Sequence, residues 1–383
     1  MTTADAEHDP KKWIPAFEKD RASKMPVSSS ANIRVPSMRP PSAVVYAVLI
    51  AGVFAVALLA TTVGAAGIPL PRLAAALGLK IASADPAMLA RDELVLCSIL
   101  IPRIAIAGMI GGLLALSGAI MQGMFRNPLA DPALVGVSSG GAFAAASAIV
   151  ISDSAWGASF RFLQLELLPV AAFAGSLLTT TVLYKIASRE GRTSVAIFLL
   201  AGLAIAAIAN AGIGLLAFVA DDRQLRDTTF WLLGSLSGAT WPKAAMVAPV
   251  VLMALLVIPL IARGLDVLVL GEAEAFHTGI DVERLKKISI VVISAMTGVA
   301  VSICGVVGFV GIVVPHLLRI VIGPGHRLLL PASVCLGAIL MIGAYTLARV
   351  LAAPAEVPIG ILTAALGAPF FLFILLRQRK LIG

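Results

Sequence analysis

Charged residues are scarce in this sequence. Asp, Glu, Lys and Arg together make up 13% of its 383 residues, whereas 59% are hydrophobic. A water-soluble domain of this length has too little interior to bury so much apolar surface. The composition therefore excludes an ordinary soluble globular protein and predicts a chain partly solvated by lipid. The net charge of +8 is explained by the positive charge of cytoplasmic loops rather than by nucleic-acid binding.

The sequence also lacks the motif that cradles nucleotide phosphates. It contains neither G-x-x-x-x-G-K-[ST] nor any Gly-Lys pair, so we expect no enzyme activity from this chain, and ATP with its Mg²⁺ to be bound by a partner ATPase. The three cysteines, Cys97, Cys304 and Cys335, fall within apolar segments and form no C-x-x-C pair. We therefore expect no disulfide, no metal site and no cofactor bound by the chain itself.

The apolar residues occur in blocks of about 20, the length that a helix needs to cross the hydrocarbon core. These blocks predict an all-α, polytopic membrane protein with about ten transmembrane helices. The predicted spans are Ala43–Gly64, Val95–Ile120, Ala133–Ile151, Leu167–Ile186, Val195–Val219, Ala244–Ile261, Ile288–Val307, Val310–Ile322, Leu328–Leu351 and Pro358–Leu376. The eighth is short and interrupted by Gly and Pro, which predicts a bent or broken element inside the protein.

The predicted spans contain no Asp, Glu or Lys well inside them, although Arg103 lies near the outer end of the second. Proton-driven carriers usually need an ionisable group at that depth, so the pattern disfavours proton coupling. Sodium can be held by backbone carbonyls alone, so a sodium-coupled carrier is weakened without being excluded.

Most of the 29 Lys and Arg residues fall on one side of the predicted membrane when both termini are placed in the cytoplasm. Residues 1–42 are polar, rich in Pro and mixed in charge, which predicts a disordered cytoplasmic tail. Residues 43–383 are the predicted transmembrane domain. The first span follows a tail too long and too charged for a signal peptide, so we expect it to be retained.

A turn with unusual chemistry follows the second predicted span, in the string SGAIMQGMFRNPLADP at 117–132. Its Asn-Pro and Asp-Pro pairs favour extended or turn geometry, so one helix ends here and the next begins. The residues alone favour a plain loop at the membrane surface.

This string and the blocks after it resemble, in order, those of one transporter family. The later blocks are FWLLGSLSG at 230–238, LGEAEA at 270–275, GFVGIVVPHLLR at 308–319, GHRLLLP at 325–331 and EVPIGILT at 356–363. Together they resemble the FecCD-type permeases of binding-protein-dependent ABC importers for iron-siderophores, haem and vitamin B12. The resemblance covers roughly Ala43 to Arg377.

The resemblance implies a type II ABC importer permease of the bacterial inner membrane. It implies a homodimer with two ATPase subunits in the cytoplasm and a periplasmic substrate-binding protein. Asn127 and Leu129 match the family's cytoplasmic gate, although turn chemistry alone would also explain them. The segment matching the helix that couples to the ATPase comprises Gly271, Glu272, Ala273, Glu274, Ala275, Phe276, His277, Thr278 and Gly279; an ordinary amphipathic loop is the alternative.

Arg103 and Arg349 match two positions at which arginines of the family pair with glutamates of the binding protein. Long basic side chains at these depths could instead only reach lipid headgroups. The sequence departs from the family at Leu100, where another Arg is usual, and at Tyr345, where Asp is usual. The docking surface is therefore expected to carry less charge than is typical of the family.

The transported substrate is expected to be an iron chelate. The segments GSLSGATW at 234–241 and GPGHR at 323–327 are most similar to those of the haem branch of the family. A ferric siderophore or cobalamin remains open as the substrate of the same kind of permease. From other classes, an ion-coupled secondary transporter also remains open, and the lack of a charged ring in the spans disfavours a selective ion channel.

Overall fold

The computed structural model describes residues 41–64, 68–76, 86–133, 136–152, 164–189 and 192–382. The tail predicted over residues 1–42 lies outside them except for Pro41 and Ser42. Within them, helices account for nearly all of the regular structure, which confirms the all-α class. A single antiparallel pair of two-residue strands is the one sheet in this part of the chain, with Ser188 opposite Thr193.

Fourteen helices are described, numbered here in chain order. They are α1 (Ser42–Thr62), α2 (Leu70–Ala76), α3 (Pro86–Val95), α4 (Ile101–Phe125), α5 (Val137–Ser152), α6 (Gln164–Ala187), α7 (Val195–Val219), α8 (Asp222–Leu232), α9 (Trp241–Leu268), α10 (Glu272–His277), α11 (Val282–Cys304), α12 (Val310–Ile322), α13 (His326–Leu351) and α14 (Ile359–Ile382). A π-helical turn, Leu96–Leu100, joins α3 to α4, and the strands are β1 (Ser188–Arg189) and β2 (Arg192–Thr193).

Seven of the described helical stretches are long and apolar enough to cross a membrane, and three shorter apolar helices accompany them. The seven confirm a polytopic membrane protein, while the count of about ten spans stays a prediction. The predicted bounds of Val195–Val219 and Val310–Ile322 match α7 and α12 to the residue. The third span was predicted to begin at Ala133, but α5 begins at Val137.

The interruption expected at Gly305, Gly308, Gly311 and Pro315 is found at the first two of these positions and not at the last two. α12 is continuous through Pro315, and the non-helical backbone precedes it, from Gly305 to Phe309. Gly305 and Phe309 both adopt positive φ angles, of 74° and 68°, which turn the chain between α11 and α12. α12 is only partly enclosed, because Ile320 and Val321 are exposed on its outer face.

Side-chain caps explain why three of the helices begin where they do. The Ser194 hydroxyl accepts a hydrogen bond from the amide of Ile197 in α7, and the Asp281 carboxylate accepts one from Arg284 in α11. Asp221 forms a reciprocal capping box with Gln224 at the start of α8.

The core is built around α4, whose residues Ile110–Phe125 are all buried. α9, α11, α12 and α13 pack against it. Gly118 lies against the backbone of Gly311, and a Cβ atom at Gly118 would come within 2.1 Å of the Gly311 carbonyl oxygen. Gly111 meets the backbone of Gly337 in the same way. Such close backbone approach is how helices pack in lipid, where water exclusion does not drive association.

The long helices run between two ends of the bundle, and both α4 and α13 show this. α4 begins beside Ser237 and Glu356 and ends beside His326. α13 begins at His326 and ends beside Gly64. We call the end that holds Phe125, α10 and His326 the α10 end, and the opposite end, with Arg103 and Ser237, the α8 end.

Candidate functional sites at the two ends of the bundle

The turn after α4 has its backbone held by its own side chains. The Asn127 amide oxygen accepts a hydrogen bond from the Leu129 amide at 2.9 Å, and an Asp131 carboxylate oxygen accepts one from Ala133 at 2.7 Å. Arg126 closes α4 in the left-handed conformation. The Asn127 amide oxygen is thus used within the turn, while Leu129 remains half-buried. The gate role of this pair stays a prediction.

Asp131 was not among the predicted site residues, yet it is the buried carboxylate of this turn. Burial raises its pKa to about 6, and the hydrogen bond from Ala133 opposes that shift. The carboxylate also lies close to Gly311 in α12. The turn is therefore folded back against the core.

Polar contacts at the end of α4 join α4 to α12 and, beside it, α9 to α13. Gln122 donates to the Gly311 carbonyl at 3.0 Å, and its amide oxygen accepts a hydrogen bond from Arg319. The next contact is between Asp266 of α9 and His326 of α13, beside Gly123 of α4. Asp266 accepts hydrogen bonds from the His326 amide at 2.7 Å and pairs with its ring Nδ1 at 2.8 Å, while Nε2 faces Gly123. No pattern in the sequence indicates the contact between Asp266 and His326, because the two residues lie 60 positions apart.

The predicted coupling segment Gly271–Gly279 contains the short helix α10. Gly271 precedes the helix with φ of 137°, a conformation that favours glycine, and Gly279 follows it with φ of 80°. Ala275 is buried against the bundle, whereas the Phe276 side chain is 75% exposed. A short helix with an exposed aromatic side chain suits contact with another protein, and its contact with an ATPase stays a prediction.

A buried lysine joins α10 to the beginning of α7. Lys286 in α11 is nearly inaccessible, and its Nζ lies 3.0 Å from Glu272 and 3.3 Å from Glu283. The same Nζ donates to the Thr193 carbonyl at 3.1 Å. Sequence reasoning treated Lys286 as one basic loop residue among several; its spacing of three residues from Glu283 was the available signal.

At the α8 end, Arg103 is paired within the chain. Its guanidinium donates to a Glu356 carboxylate oxygen at 2.7 Å and to the Ser237 carbonyl at 2.7 Å. A shallow pocket of about 480 Å³ lies beside this pair. Its lining residues are Phe230, Trp231, Ser235, Ser237, Glu356 and Pro358.

The second predicted docking arginine, Arg349, is buried. Its guanidinium donates to the carbonyls of Ala60 and Val63, at 3.2 and 2.8 Å, and lies 5.2 Å from the centre of the Tyr345 ring. The aromatic ring thus occupies the position where the family usually has an acid and still contacts the arginine. The structure ties Arg349 to the end of α1, and its contact with a binding protein stays a prediction.

These features define a class of protein. Long apolar helices form the bundle, and the ionic networks described above lie at its two ends. In the described part of the chain no group of three or more His, Cys, Asp or Glu side chains is placed to hold a metal ion. This is the architecture of a multi-pass membrane protein.

The family follows from comparison with known proteins. The model of the FecCD transport family matches residues 47–377, and the chain belongs to that family. The chain is 44% identical to the "Hemin transport system permease protein HmuU" of Yersinia pestis, over 74% of this chain and 83% of that one. It is 41% identical to the "Cobalamin import system permease protein BtuC" of Halobacterium salinarum, over 75% of this chain and 74% of that one.

A solved structure has the same fold. It is an inward-facing conformation of an ABC transporter described as of the metal-chelate type, with a TM-score of 0.75 and 28% sequence identity. The alignment covers 88% of this chain and 100% of the other. The chain is therefore a transport permease rather than an enzyme.

Proposed function

We propose that this chain is the membrane-spanning permease subunit of an ATP-driven importer that moves an iron chelate, haem in the first place, from periplasm to cytoplasm. The observation that carries the proposal is the family match over residues 47–377. Haem is favoured by the 44% identity to the hemin permease, which exceeds the 41% identity to the cobalamin permease. Cobalamin and a ferric siderophore are the other substrates of the same kind of permease.

The proposed assembly is a homodimer of this chain with two ATPase subunits at the α10 end and a periplasmic binding protein at the α8 end. ATP and Mg²⁺ are then bound by the ATPase and not by this chain. The orientation, with both termini in the cytoplasm of a bacterial inner membrane, is supported by the basic residues of the α10 end. They include Arg126, Arg263, Arg284, Lys287, Arg319 and Arg327.

The decisive experiment reconstitutes the permease in liposomes with its ATPase inside and its binding protein outside. Haem, cobalamin and a ferric siderophore are supplied in turn. Each is tested with ATP and the wild-type ATPase, and again with a hydrolysis-deficient ATPase. We expect ATP-dependent uptake of haem in preference to the other two. Uptake driven by a sodium or proton gradient without ATP would instead establish a secondary transporter.

The α10 end also provides a test of orientation. A single cysteine at Arg284 should react with a membrane-impermeant maleimide only in inside-out vesicles, and one at Ser237 only in right-side-out vesicles. The reverse pattern would contradict the proposed orientation.

A further inference from the structure

The environment of Lys286 is unusual for a lysine. Its side chain is 3% exposed, and three groups from three different elements surround its ammonium: Glu272 of α10, Glu283 of α11 and the Thr193 carbonyl of β2. Burial of an ammonium group costs several kcal/mol unless charges and hydrogen bonds compensate it. Removal of one partner is therefore unfavourable, because it leaves the buried ammonium with less compensation.

Thr193 continues this network into the start of α7. The Glu283 carboxylate accepts hydrogen bonds from the Thr193 amide and hydroxyl, both at 3.1 Å. Thr193 directly precedes Ser194, which caps α7. A displacement of Lys286 therefore acts on the first turn of α7.

The first turn of α7 in turn contacts the end of α4. The rings of Phe198 and Phe125 lie 5.8 Å apart between their centroids, at an angle of 58°. Phe125 is followed by Arg126 and Asn127, the first residues of the turn proposed as the gate. A continuous series of contacts thus leads from Glu272 in α10 to that turn.

We propose that Lys286 is a positioning residue that transmits displacement of α10 to the base of α7 and so to the gate turn. The proposal rests on the proposed function, in which α10 is moved by the ATPase. When α10 moves, Glu272 either draws Lys286 with it or leaves a buried ammonium with one carboxylate fewer. Both outcomes make the state of α7 depend on the position of α10, which is what coupling between two sites requires.

Four variants test the role of the lysine in the full complex. Lys286→Met keeps the length of the side chain and removes the charge, whereas Lys286→Arg keeps the charge. Glu272→Ala breaks only the link to α10 and leaves Lys286 paired with Glu283 and Thr193. Lys287→Met, at the exposed neighbouring position, is the matched control.

Two readouts separate transmission from folding. The first is haem uptake per ATP hydrolysed in liposomes. The second uses a Leu129→Cys background with the three native cysteines replaced by Ala, and measures how far ATP binding changes the rate of maleimide labelling at that position. The second readout does not depend on the identity of the substrate. Copurification of the ATPase and thermal unfolding in detergent report assembly and folding.

We expect Lys286→Met and Glu272→Ala to bind and hydrolyse ATP while uptake per ATP falls about tenfold, within the range usual for coupling between sites. The nucleotide-dependent change in labelling should fall with it. Lys286→Arg should keep both readouts within about twofold of the wild-type values, since it retains the charge that Glu272 contacts. The double variant Lys286→Met with Glu272→Ala should lose no more uptake per ATP than either single variant.

The proposal is overturned if either single variant shows wild-type uptake per ATP and wild-type nucleotide-dependent labelling. It is also overturned if Lys287→Met loses as much uptake per ATP as Lys286→Met does. If Lys286→Met does not fold, Glu272→Ala is compared with Glu274→Ala, which changes the same surface of α10 without breaking the contact with Lys286, and an equal loss in the two overturns the proposal. Failure of the wild-type chain to assemble with an ATPase contradicts the proposed function instead, and is seen before any variant is compared.

Discussion

Arg103 and Glu356, 253 positions apart in the chain, form an ion pair of 2.7 Å at the α8 end. The pair joins the start of α4 to the segment before α14, and the Ser237 carbonyl adds a third contact. Side-chain exposures of 19% for Arg103 and 33% for Glu356 leave both groups in reach of water. The arginine expected to meet a binding protein is thus already balanced by an acid of its own chain.

Two variants separate docking from this internal contact. Arg103→Gln and Glu356→Gln both remove the ion pair, but only the first removes the basic charge. We expect Arg103→Gln to weaken binding-protein affinity about fivefold, or roughly 1 kcal/mol, and Glu356→Gln to leave it equal or stronger. Binding to the permease in nanodiscs measures this, and equal weakening by both variants would show that Arg103 acts only within the chain.

The proposed coupling role of α10 is tested by its two glutamates, which differ in their surroundings. Glu272 pairs with Lys286, whereas no described side chain forms an ion pair with Glu274. Glu274→Lys should therefore reduce uptake per ATP by altering only the surface that α10 presents to the ATPase. Glu272→Lys places a second cation against Lys286 and should reduce both uptake and thermal stability.

The combined replacement of both glutamates should uncouple ATP hydrolysis from transport while the permease still inserts into the membrane. Uptake of haem and ATP hydrolysis in liposomes, with the amount of permease in the membrane fraction as control, measure this. Unchanged transport in the combined variant would remove α10 from the coupling role.

The proposed gate role of the turn after α4 is tested by cross-linking between two copies of the chain. If the turns of two subunits meet on a two-fold axis, each residue faces its own copy. A disulfide forms only where the Cα atoms come within about 7 Å, so a single cysteine should cross-link only when the cytoplasmic end is closed. Leu129→Cys is the better probe, because Asn127→Cys also removes the side-chain acceptor that holds the Leu129 amide.

The Leu129→Cys cross-link should block transport, and a reductant should restore it. The background for the experiment replaces Cys97, Cys304 and Cys335 by Ala. Arg263→Cys, on the exposed surface of α9 at the same end, is the control for random collision. Absence of a Leu129 cross-link in every nucleotide state of an intact dimer would place the gate elsewhere, with Thr193 and Ser194 as the next candidates.

The raised pKa of the Asp131 carboxyl is expected to make the stability of the protein depend on pH. Its pKa is raised from 3.8 to about 6 in the folded chain, so between these values the folded state holds a proton that the unfolded state has released. Stability should therefore fall as pH rises from about 4 to 6, by roughly 2 to 3 kcal/mol for this group. Thermal unfolding in detergent at several pH values measures this.

Asp131→Asn keeps an oxygen that can accept the Ala133 hydrogen bond and cannot titrate, so this contribution to the pH dependence should disappear. Asp222→Asn, at an exposed position of α8, is the control. Identical pH profiles for wild type and Asp131→Asn would show that this carboxyl is not buried in the folded protein.

The helices were predictable to different degrees, for physical reasons. α7 and α12 end where their apolar runs end, so composition alone located them. α3 carries Arg91, Asp92 and Glu93, and Asp92 forms an ion pair with Arg72 of α2. A charged sequence of this kind gives no hydropathy signal, and the predicted span therefore began only at Val95.

The site residues divide in a similar way. The family resemblance pointed to the segment of α10 and to the turn after α4, because their motifs are contiguous in the sequence, and the roles of both stay predictions. Lys286 with Thr193 and Asp266 with His326 are contacts across 93 and 60 positions. No local pattern specifies such pairs, since the packing of α9, α11 and α13 around α4 determines which side chains meet.

That packing depends on Gly118, and a matched pair of substitutions tests it. A Cβ atom at Gly118 would lie 2.1 Å from the Gly311 carbonyl oxygen, which is backbone and cannot move aside without displacing α12. A Cβ atom at Gly343 in α13 would meet no atom within 4 Å outside the backbone of its own helix. We expect Gly118→Ala to destabilise the protein by about 1 to 3 kcal/mol, as overpacking does. Gly343→Ala should be neutral or stabilising by up to about 1 kcal/mol, the difference in helix propensity. Thermal unfolding and the yield of folded protein in the membrane measure both, and equal stability of the two variants would show that α4 and α12 do not pack this closely.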